Sequence, residues 1–439
     1  MSSSISTQPD LASTALLSKS AYRRLVAAAS IGTVVEQYDF FCYALVAPLA
    51  FDLVFFPKVD PYIGIVLVYA TFAIGFFARP LGGLVFGHFG DRIGRKSVLM
   101  ATLLIMGIGS CLIGCLPTYA TVGIWAAVAL VVLRFLQGFA LGGEYMSAVV
   151  LTLENAPTEH RNFYSSAVVS ASAVGVVLAS GLMTWLGGHY SKEQFQTWVW
   201  RVPFLLSFVL VIIGTYFRSH VDESILFRHA QQQAKIPRAP IAKVLRNHKK
   251  PLLVGMLISM AMGGFFYLST IYLMGFAVRR LAFSRAGIAA GYTVGNILEA
   301  ITVVLFACLS DRWGRRPLLL TGFILAAIGL PVMYKLMMLH NVFYLAVAIT
   351  IACCFVHAMM YAPEGVYMAE IFPTEVRVTG SSMGKQLGIA VGGGIAPLVA
   401  STLMGRSMSF TPVYIYIWVM AACAFVGVLL MGETRKKVL

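Results

Sequence analysis

Charge is what this sequence has least of. Charged residues fill 12% of its 439 positions, and only 18 of them are Asp or Glu. A soluble domain carries about 25% charged residues. A chain that is also 59% hydrophobic excludes itself from water and reads as an integral membrane protein. Metal and redox signatures are missing too. The seven cysteines (Cys42, Cys111, Cys115, Cys308, Cys353, Cys354 and Cys423) are odd in number and form no CxxC pair. Neither a disulfide framework nor a zinc site is indicated, and no metal or cofactor is expected. There is no HExxH and no GxxxxGK[ST], so intramembrane metalloprotease and ATP-driven chemistry lack their residues, and an enzyme is not expected. The polar segments are too small for the output domain of a receptor. No cleavage-site pattern precedes the first apolar run, so no cleaved leader is expected.

Long apolar runs are what the chain has instead. A helical span needs roughly 20 apolar residues to cross about 30 Å of hydrocarbon. Twelve candidates occur, at about 26–50, 61–86, 98–116, 122–150, 162–186, 201–218, 251–276, 287–309, 318–338, 343–368, 378–404 and 412–431. They are continuous rather than alternating, which argues against a transmembrane β-barrel. The expected fold is an all-α polytopic membrane protein with 12 transmembrane helices. The longest polar stretch, 219–250, divides the spans six and six and reads as a partly helical linker. The expected organisation is a tail at 1–25, one half at 26–218, the linker, a second half at 251–431 and a tail at 432–439.

The 33 basic residues set the orientation. If the N-terminus lies inside and the spans alternate, the outer loops hold only Lys58, Lys192, Arg279, Arg280, Arg285, Lys335 and Arg406. Arg79, Arg134, Arg201 and Lys385 lie within or at the edge of spans, and all the others fall inside. This is the positive-inside pattern, with both termini cytoplasmic. The net charge of +15 therefore reports topology and contact with acidic lipid head groups. It is split among short loops, so a nucleic-acid partner is not expected.

The two halves repeat one another. GHFGDRIGRK (87–96) follows the second span, and LSDRWGRR (309–316) follows the eighth. ENAPTEHR (154–161) follows the fourth, and EIFPTEVR (370–377) follows the tenth. Two different motifs recur in order at nearly one offset, which indicates parallel six-helix repeats. That is a transporter architecture, with a substrate site between the halves near the midplane. GHFGDRIGRK resembles the loop 2–3 signature of the major facilitator superfamily, and LRFLQGFALGGE (133–144) resembles its span-4 motif in proton-coupled members. EQYDFF, FARPLGG (77–83), GGEY (142–145), ENAPTEHRNFYSS (154–166) and WRVPF (200–204) are similar to the metabolite:proton symporter family, which includes shikimate, α-ketoglutarate, citrate and proline/betaine carriers. The resemblance implies a pseudo-symmetric facilitator fold in a bacterial inner membrane, working as a monomer by alternating access. It implies proton-coupled import of a small organic acid, driven by the proton gradient. A zwitterion or compatible-solute symporter and a multidrug/proton antiporter stay open as alternatives. The long C-terminal extension of proline/betaine members is missing after span 12, so the osmosensing version is not expected. Gln37 stands where the family often has Trp, and Tyr145, Met146 and Ser147 depart from its usual GGEWGGA.

Glu36 and Asp39 lie mid-span in IGTVVEQYDFFCYA (31–44). Helical spacing puts Gly32, Glu36, Asp39 and Tyr43 on one face. Acids at that depth face a bundle interior or a wet cavity. Two neighbouring buried carboxylates repel, so one is expected to hold a proton part of the time. Both are proton-coupling candidates. Arg134 lies mid-span in span 4 with Gln137 on its face. It is expected to pair with Asp39 in the empty state and with a substrate anion when Asp39 is protonated; a fixed Asp39–Arg134 packing pair is the alternative. Further substrate-site candidates are Tyr43, Tyr145, Asn296, Glu299, His357, Tyr361 and Lys385, with Lys385 expected to hold a second substrate carboxylate or to pair with Glu299. Glu364 reads as a gate or cap, and Arg79 as a structural, snorkelling residue. The loop motifs read as gates, with Asp91 capping a neighbouring helix and Arg92, Arg95 and Lys96 pairing with acids such as Glu154. Asp311, Arg312, Arg315 and Glu370 repeat the arrangement, and Arg161 and Arg377 close the two PTExR motifs.

Overall fold

A computed structural model describes residues 19–220, 240–283, 285–397, 399–400 and 409–435. The described residues are helices joined by short turns, with no strand among them. The first six long helices are α1 (Lys19–Phe55), α2 (Pro61–Ile93), α3 (Arg95–Cys115), α4 (Ile124–Glu154), α5 (Arg161–His189) and α6 (Val202–Ser219). The second six begin with α7, Lys249–Tyr267 continued by Leu268–Tyr272 and Leu273–Arg280. Then come α8 (Arg285–Trp313), α9 (Arg315–Met337) and α10, Val342–Ile351 continued through Ala352–His357 to Ala358–Glu370. They end with α11 (Arg377–Ile389, continued by Ala390–Gly394) and α12 (Thr411–Met431). Lipid offers no partner for a backbone N–H or C=O, so each spanning segment must close its own ladder as a helix. Ten of these helices are long and apolar enough to cross a membrane, and eleven with α1, which bends by 69° between Tyr22–Ala47 and Leu49–Phe55. Pro48 at that bend has no N–H to donate. The predicted linker lies largely outside the described residues, except for the helix Pro240–Asn247. Residues 401–404 of the predicted eleventh span also lie outside them.

The helices run further than the apolar runs predict. α2 continues to Ile93 and α8 to Trp313, so GHFGD and LSD form last helical turns rather than loops. The turns themselves are single glycines, Gly94 at φ 107° and Gly314 at φ 108°. That left-handed region costs a residue with a Cβ far more than it costs Gly, which explains the Gly-Arg that opens both α3 and α9. The face where these turns lie carries Arg92, Arg95, Lys96, Arg312, Arg315 and Arg316, and it is the basic face of the molecule.

The halves meet along two matching seams, α2 against α11 and α5 against α8. Within the first half α2 presses on α4 without side chains between them. A Cβ on Gly138 would run into the Gly75 carbonyl, and one on Gly142 into the Arg79 carbonyl. Such small-residue contacts hold helices together where the solvent is itself apolar. This contact fixes the rotation of α2, and so where Arg79 points. In the second half, π-helical stretches run over Leu268–Tyr272, Ala352–His357 and Ala390–Gly394; Tyr267 and Ile389, directly before two of them, and His357, at the end of the third, line the central cavity. Such bulges are frequent at functional sites.

Candidate functional site

A cavity of about 110 Å³ lies between the halves. The first half lines it with Glu36 from α1, Arg79 from α2 and Tyr145 from α4. The second half contributes Asn296 and Glu299 from α8, His357 and Tyr361 from α10, and Lys385 and Gln386 from α11. Six of the sequence-predicted substrate residues are thus brought together, and Glu36 joins them. Arg134, Gln137, Tyr43 and Asp39 do not line it.

Arg79 occupies the position that sequence reasoning gave to Arg134. It does not snorkel: it is 7% exposed. Its guanidinium lies 4.2 Å from the Phe76 ring centroid and 4.6 Å from that of Phe40, beside the Tyr267 hydroxyl. Among the described residues no carboxylate comes within ion-pair distance of it. Aromatic faces attract a cation but leave its N–H groups for a ligand.

Arg134 is turned away from the cavity. It stacks on the Tyr43 ring at 3.7 Å and donates to Gln137 Oε1 at 2.9 Å. Gln137 Nε2 donates to Ser110 Oγ at 2.6 Å, and the Tyr43 hydroxyl lies 2.5 Å from Thr71 Oγ1. Asp39 accepts from Ser207 Oγ and lies near Ser110, while Asp39 Oδ2 has no hydrogen-bond partner. The predicted direct Asp39–Arg134 ion pair is therefore absent. Neutral groups lie between the two charges instead: Gln137 and Ser110 are hydrogen-bonded in turn to Arg134, and Ser110 lies near Asp39, while the guanidinium stacks on Tyr43. Glu36 sits on the cavity side of α1, with Oε1 accepting from Gln37 Nε2 at 3.4 Å and Oε2 unpartnered.

In the second half Lys385 donates to Glu364 Oε2 at 2.5 Å, and Ser259 Oγ donates to Glu364 Oε1 at 2.6 Å. Lys385 therefore pairs with Glu364 and not with Glu299, and Glu364 is a counter-ion rather than a cap. The Lys385 ammonium also lies 4.1 Å from the Tyr145 ring centroid. Glu299 pairs with His357 Nδ1 at 2.5 Å. Tyr145, Tyr361 and His357 form a stacked wall, with centroids 5.9 and 5.0 Å apart, and the Tyr361 hydroxyl reaches Ser172 of the first half at 3.0 Å. Asn296 Nδ2 donates to its own helix, at Tyr292 O, 2.8 Å away.

Toward the basic face the halves are latched by reciprocal contacts. Asp91 at the end of α2 accepts from Thr379 N at 2.8 Å and Thr379 Oγ1 at 2.7 Å, in the first turn of α11. Asp311 at the end of α8 accepts from Asn162 N at 3.2 Å and Phe163 N at 2.8 Å, in the first turn of α5. Each half thus caps a helix of the other, where backbone N–H groups are orphaned and negative charge is favoured. Glu154 takes Arg377 across the seam at 2.9 Å and Arg95 at 3.3 Å. Glu370 takes Arg161 at 3.9 Å and Arg315 at 3.3 Å. Arg92 and Arg312 do not join these clusters. Both are exposed, Arg92 beside His88 and Arg312 offering only its carbonyl to Arg435. Lys96 likewise donates to the Ser219 carbonyl at 2.9 Å.

Sequence reasoning missed two partners besides Arg79. Arg218, at the end of α6, is buried against Glu144 and the Leu99 carbonyl. Glu433, just past α12, accepts from Arg315 N and Arg316 N at 3.0 Å each, and Thr434 Oγ1 donates to Glu370 Oε2 at 2.6 Å. An acid directly after the last span was the available signal for the second. Among the described residues no group of His, Cys, Asp and Glu is placed to hold a metal ion.

The family model described as Sugar (and other) transporter matches residues 25–243, and that of the Major Facilitator Superfamily matches 278–438. The shikimate transporter of Escherichia coli K12 is 35% identical over 98% of this chain and 99% of its own length. The inner membrane metabolite transport protein YhjE of the same organism is 36% identical over 94% and 95%. The proline/betaine transporter of Salmonella typhimurium LT2 is 30% identical over 94% and 84%. In fold, the chain is similar to the proton:xylose symporter XylE bound to 6-bromo-6-deoxy-D-glucose, with TM-score 0.74 and 16% identity over 94% of this chain and 97% of that one. The chain belongs to the major facilitator superfamily, and it is a membrane transporter akin to these metabolite carriers rather than an enzyme.

Proposed function

We propose that this transporter is a proton-coupled symporter that imports a small organic anion by alternating access. The observation that carries the reading is Arg79, a cavity-facing guanidinium whose surroundings are aromatic. A buried cation without a counter-ion in ion-pair distance is costly, and a substrate carboxylate relieves that cost through two parallel hydrogen bonds. Glu36 is its competitor in the same cavity. While ionised, Glu36 draws on the Arg79 field; once it carries a proton, Arg79 is left for the substrate. Asp39 is the second proton site, in a buried cluster that reaches Arg134 through Ser110 and Gln137. Proton and anion binding then favour each other, which is symport. The positive-inside rule puts the basic face and both termini in the cytoplasm, and the relatives support a bacterial inner membrane. On this orientation the latched structure is closed to the cytoplasm, and one chain suffices as the working unit.

Uptake into proteoliposomes under an inward proton gradient tests the reading. Labelled shikimate, α-ketoglutarate, citrate, succinate and a benzoate form the panel. Accumulation of an acid that a protonophore abolishes is the expected result. A zwitterion symporter is the second reading, favoured by Glu36 and Glu299 in the same cavity, which suit an ammonium. Accumulation of betaine alone would select it.

A further inference from the structure

We infer that the cavity is built for a hydroxylated monocarboxylate and turns away a second carboxylate. The inference rests on the symport reading and deepens it. Among the described residues two cations line the cavity, Arg79 and Lys385, and only Arg79 has no carboxylate within ion-pair distance. Lys385 is neutralised by Glu364 at 2.5 Å, and Glu364 is fixed in that role by Ser259. Arg79, among the described residues, has aromatic faces and a tyrosine hydroxyl around it, with the Glu36 carboxylate acting on it from beyond ion-pair distance; once Glu36 carries the symported proton, no other acid in the cavity offsets Arg79. The rest of the wall is acidic or neutral. Glu299 faces the cavity from α8 and its partner is a histidine rather than a permanent cation. A single carboxylate therefore neutralises the one surplus cation. A second carboxylate would bring an uncompensated charge into a site flanked by Glu299, and such charges are expensive at membrane depth.

The remaining polar groups call for donors on the ligand. Gln386 Nε2 donates to the Gly142 carbonyl at 3.1 Å, which leaves Gln386 Oε1 without a partner. Gln386 is nearly wholly buried. Buried acceptors that the protein leaves unsatisfied are costly until something donates to them. Substrate hydroxyl groups meet that need, and carboxylates, being acceptors only, do not.

The test uses pairs that differ in one group. Proton-driven uptake of 4-hydroxybenzoate is compared with terephthalate, and of 3-hydroxypropionate with succinate, with shikimate and citrate as larger members. The monocarboxylates are expected to be taken up at least about tenfold faster, the scale of discrimination that like-charge repulsion readily supplies. Glu364→Gln releases Lys385 as a second cation and is expected to raise the dicarboxylate-to-monocarboxylate ratio about tenfold. Glu299→Gln is expected to raise it in the same direction by removing the repelling charge. Equal or preferred transport of the dicarboxylates overturns the inference and leaves the symport reading standing. An unmoved ratio in both folded variants overturns the charge account behind it. Uptake of betaine and of no acid overturns both. If neither variant folds, the wild-type pairs decide alone.

Discussion

Asp91→Asn should loosen the basic face without touching the cavity. The carboxylate caps α11 through two hydrogen bonds, from Thr379 N at 2.8 Å and Thr379 Oγ1 at 2.7 Å, and both exist only while the halves meet on this face. Asparagine keeps the size and one acceptor oxygen but loses the charge. A charge at a partly buried helix N-terminus contributes up to about 2 kcal/mol, and charge-assisted bonds are about twice as strong as neutral ones. A loss of about 2 kcal/mol in the closed state alone moves the open-to-closed ratio roughly thirtyfold toward opening. Ser382, fully buried on α11, lies between Thr379 and the cavity-lining Lys385. A cysteine there, with the seven native ones replaced, should react with an impermeant maleimide from the basic face much faster in the Asp91→Asn background. Asp311→Asn should act with the same sign, because its bonds to Asn162 and Phe163 repeat the arrangement. Labelling within twofold of the parent in both folded variants would refute the latch. Opposite shifts from the two variants would refute its reciprocity.

Arg79→Gln should raise the KM for the transported acid at least about tenfold, since hydrogen bonds to charged groups contribute about 1.5–3 kcal/mol. Arg79→Lys should recover only part of it, lacking the planar fork, and a KM unchanged by either would remove Arg79 from the site. Asp39→Asn should retain counterflow exchange while losing accumulation driven by a pH difference, and accumulation that persists would rule out Asp39 as a coupling site. Arg134→Gln should resemble Asp39→Asn, with KM within about threefold of wild type, because Arg134 contacts Gln137 and Tyr43 and not the cavity. A KM loss matching that of Arg79→Gln would contradict this division of labour. Gly138→Ala should destabilise the first half by about 1–3 kcal/mol, the usual cost of overpacking, because the new methyl meets the Gly75 carbonyl. Thermal unfolding in detergent reads this directly, and an unchanged Tm would mean that α2 and α4 separate at no cost.

The helices, the two-fold repeat and the capping role of Asp91 were legible because each is written in local pattern. Apolar length sets a span, and a motif repeated at one offset sets the halves. An Asp at a helix end beside an Arg-rich turn suggests a cap. The partners of buried charges were not legible, because they depend on helix rotation and on which helices touch. Spacing placed Arg134 near Asp39, yet the Tyr43 ring and Gln137 intercept it. Lys385 and Glu299 both fall mid-span in the second half, but α10 brings Glu364 to Lys385 and His357 to Glu299. Arg79 sits near the inner end of its apolar run, which suggested snorkelling. The glycine contact between α2 and α4 rotates it into the cavity instead. Glu36 and Asp39 share a face by periodicity, but the seam between α1 and its neighbours divides them, one toward the cavity and one toward Ser110 and Ser207.

The central claim is that proton and anion cross together. Its most direct measurement is the internal pH of proteoliposomes loaded with a pH-sensitive dye, with the membrane potential clamped and no initial pH difference. An inward gradient of a transported monocarboxylate is then imposed, and protein-free liposomes correct for passive entry of the undissociated acid. Symport predicts internal acidification above that control, abolished in Asp39→Asn. Acid entry with no additional proton movement would contradict the account.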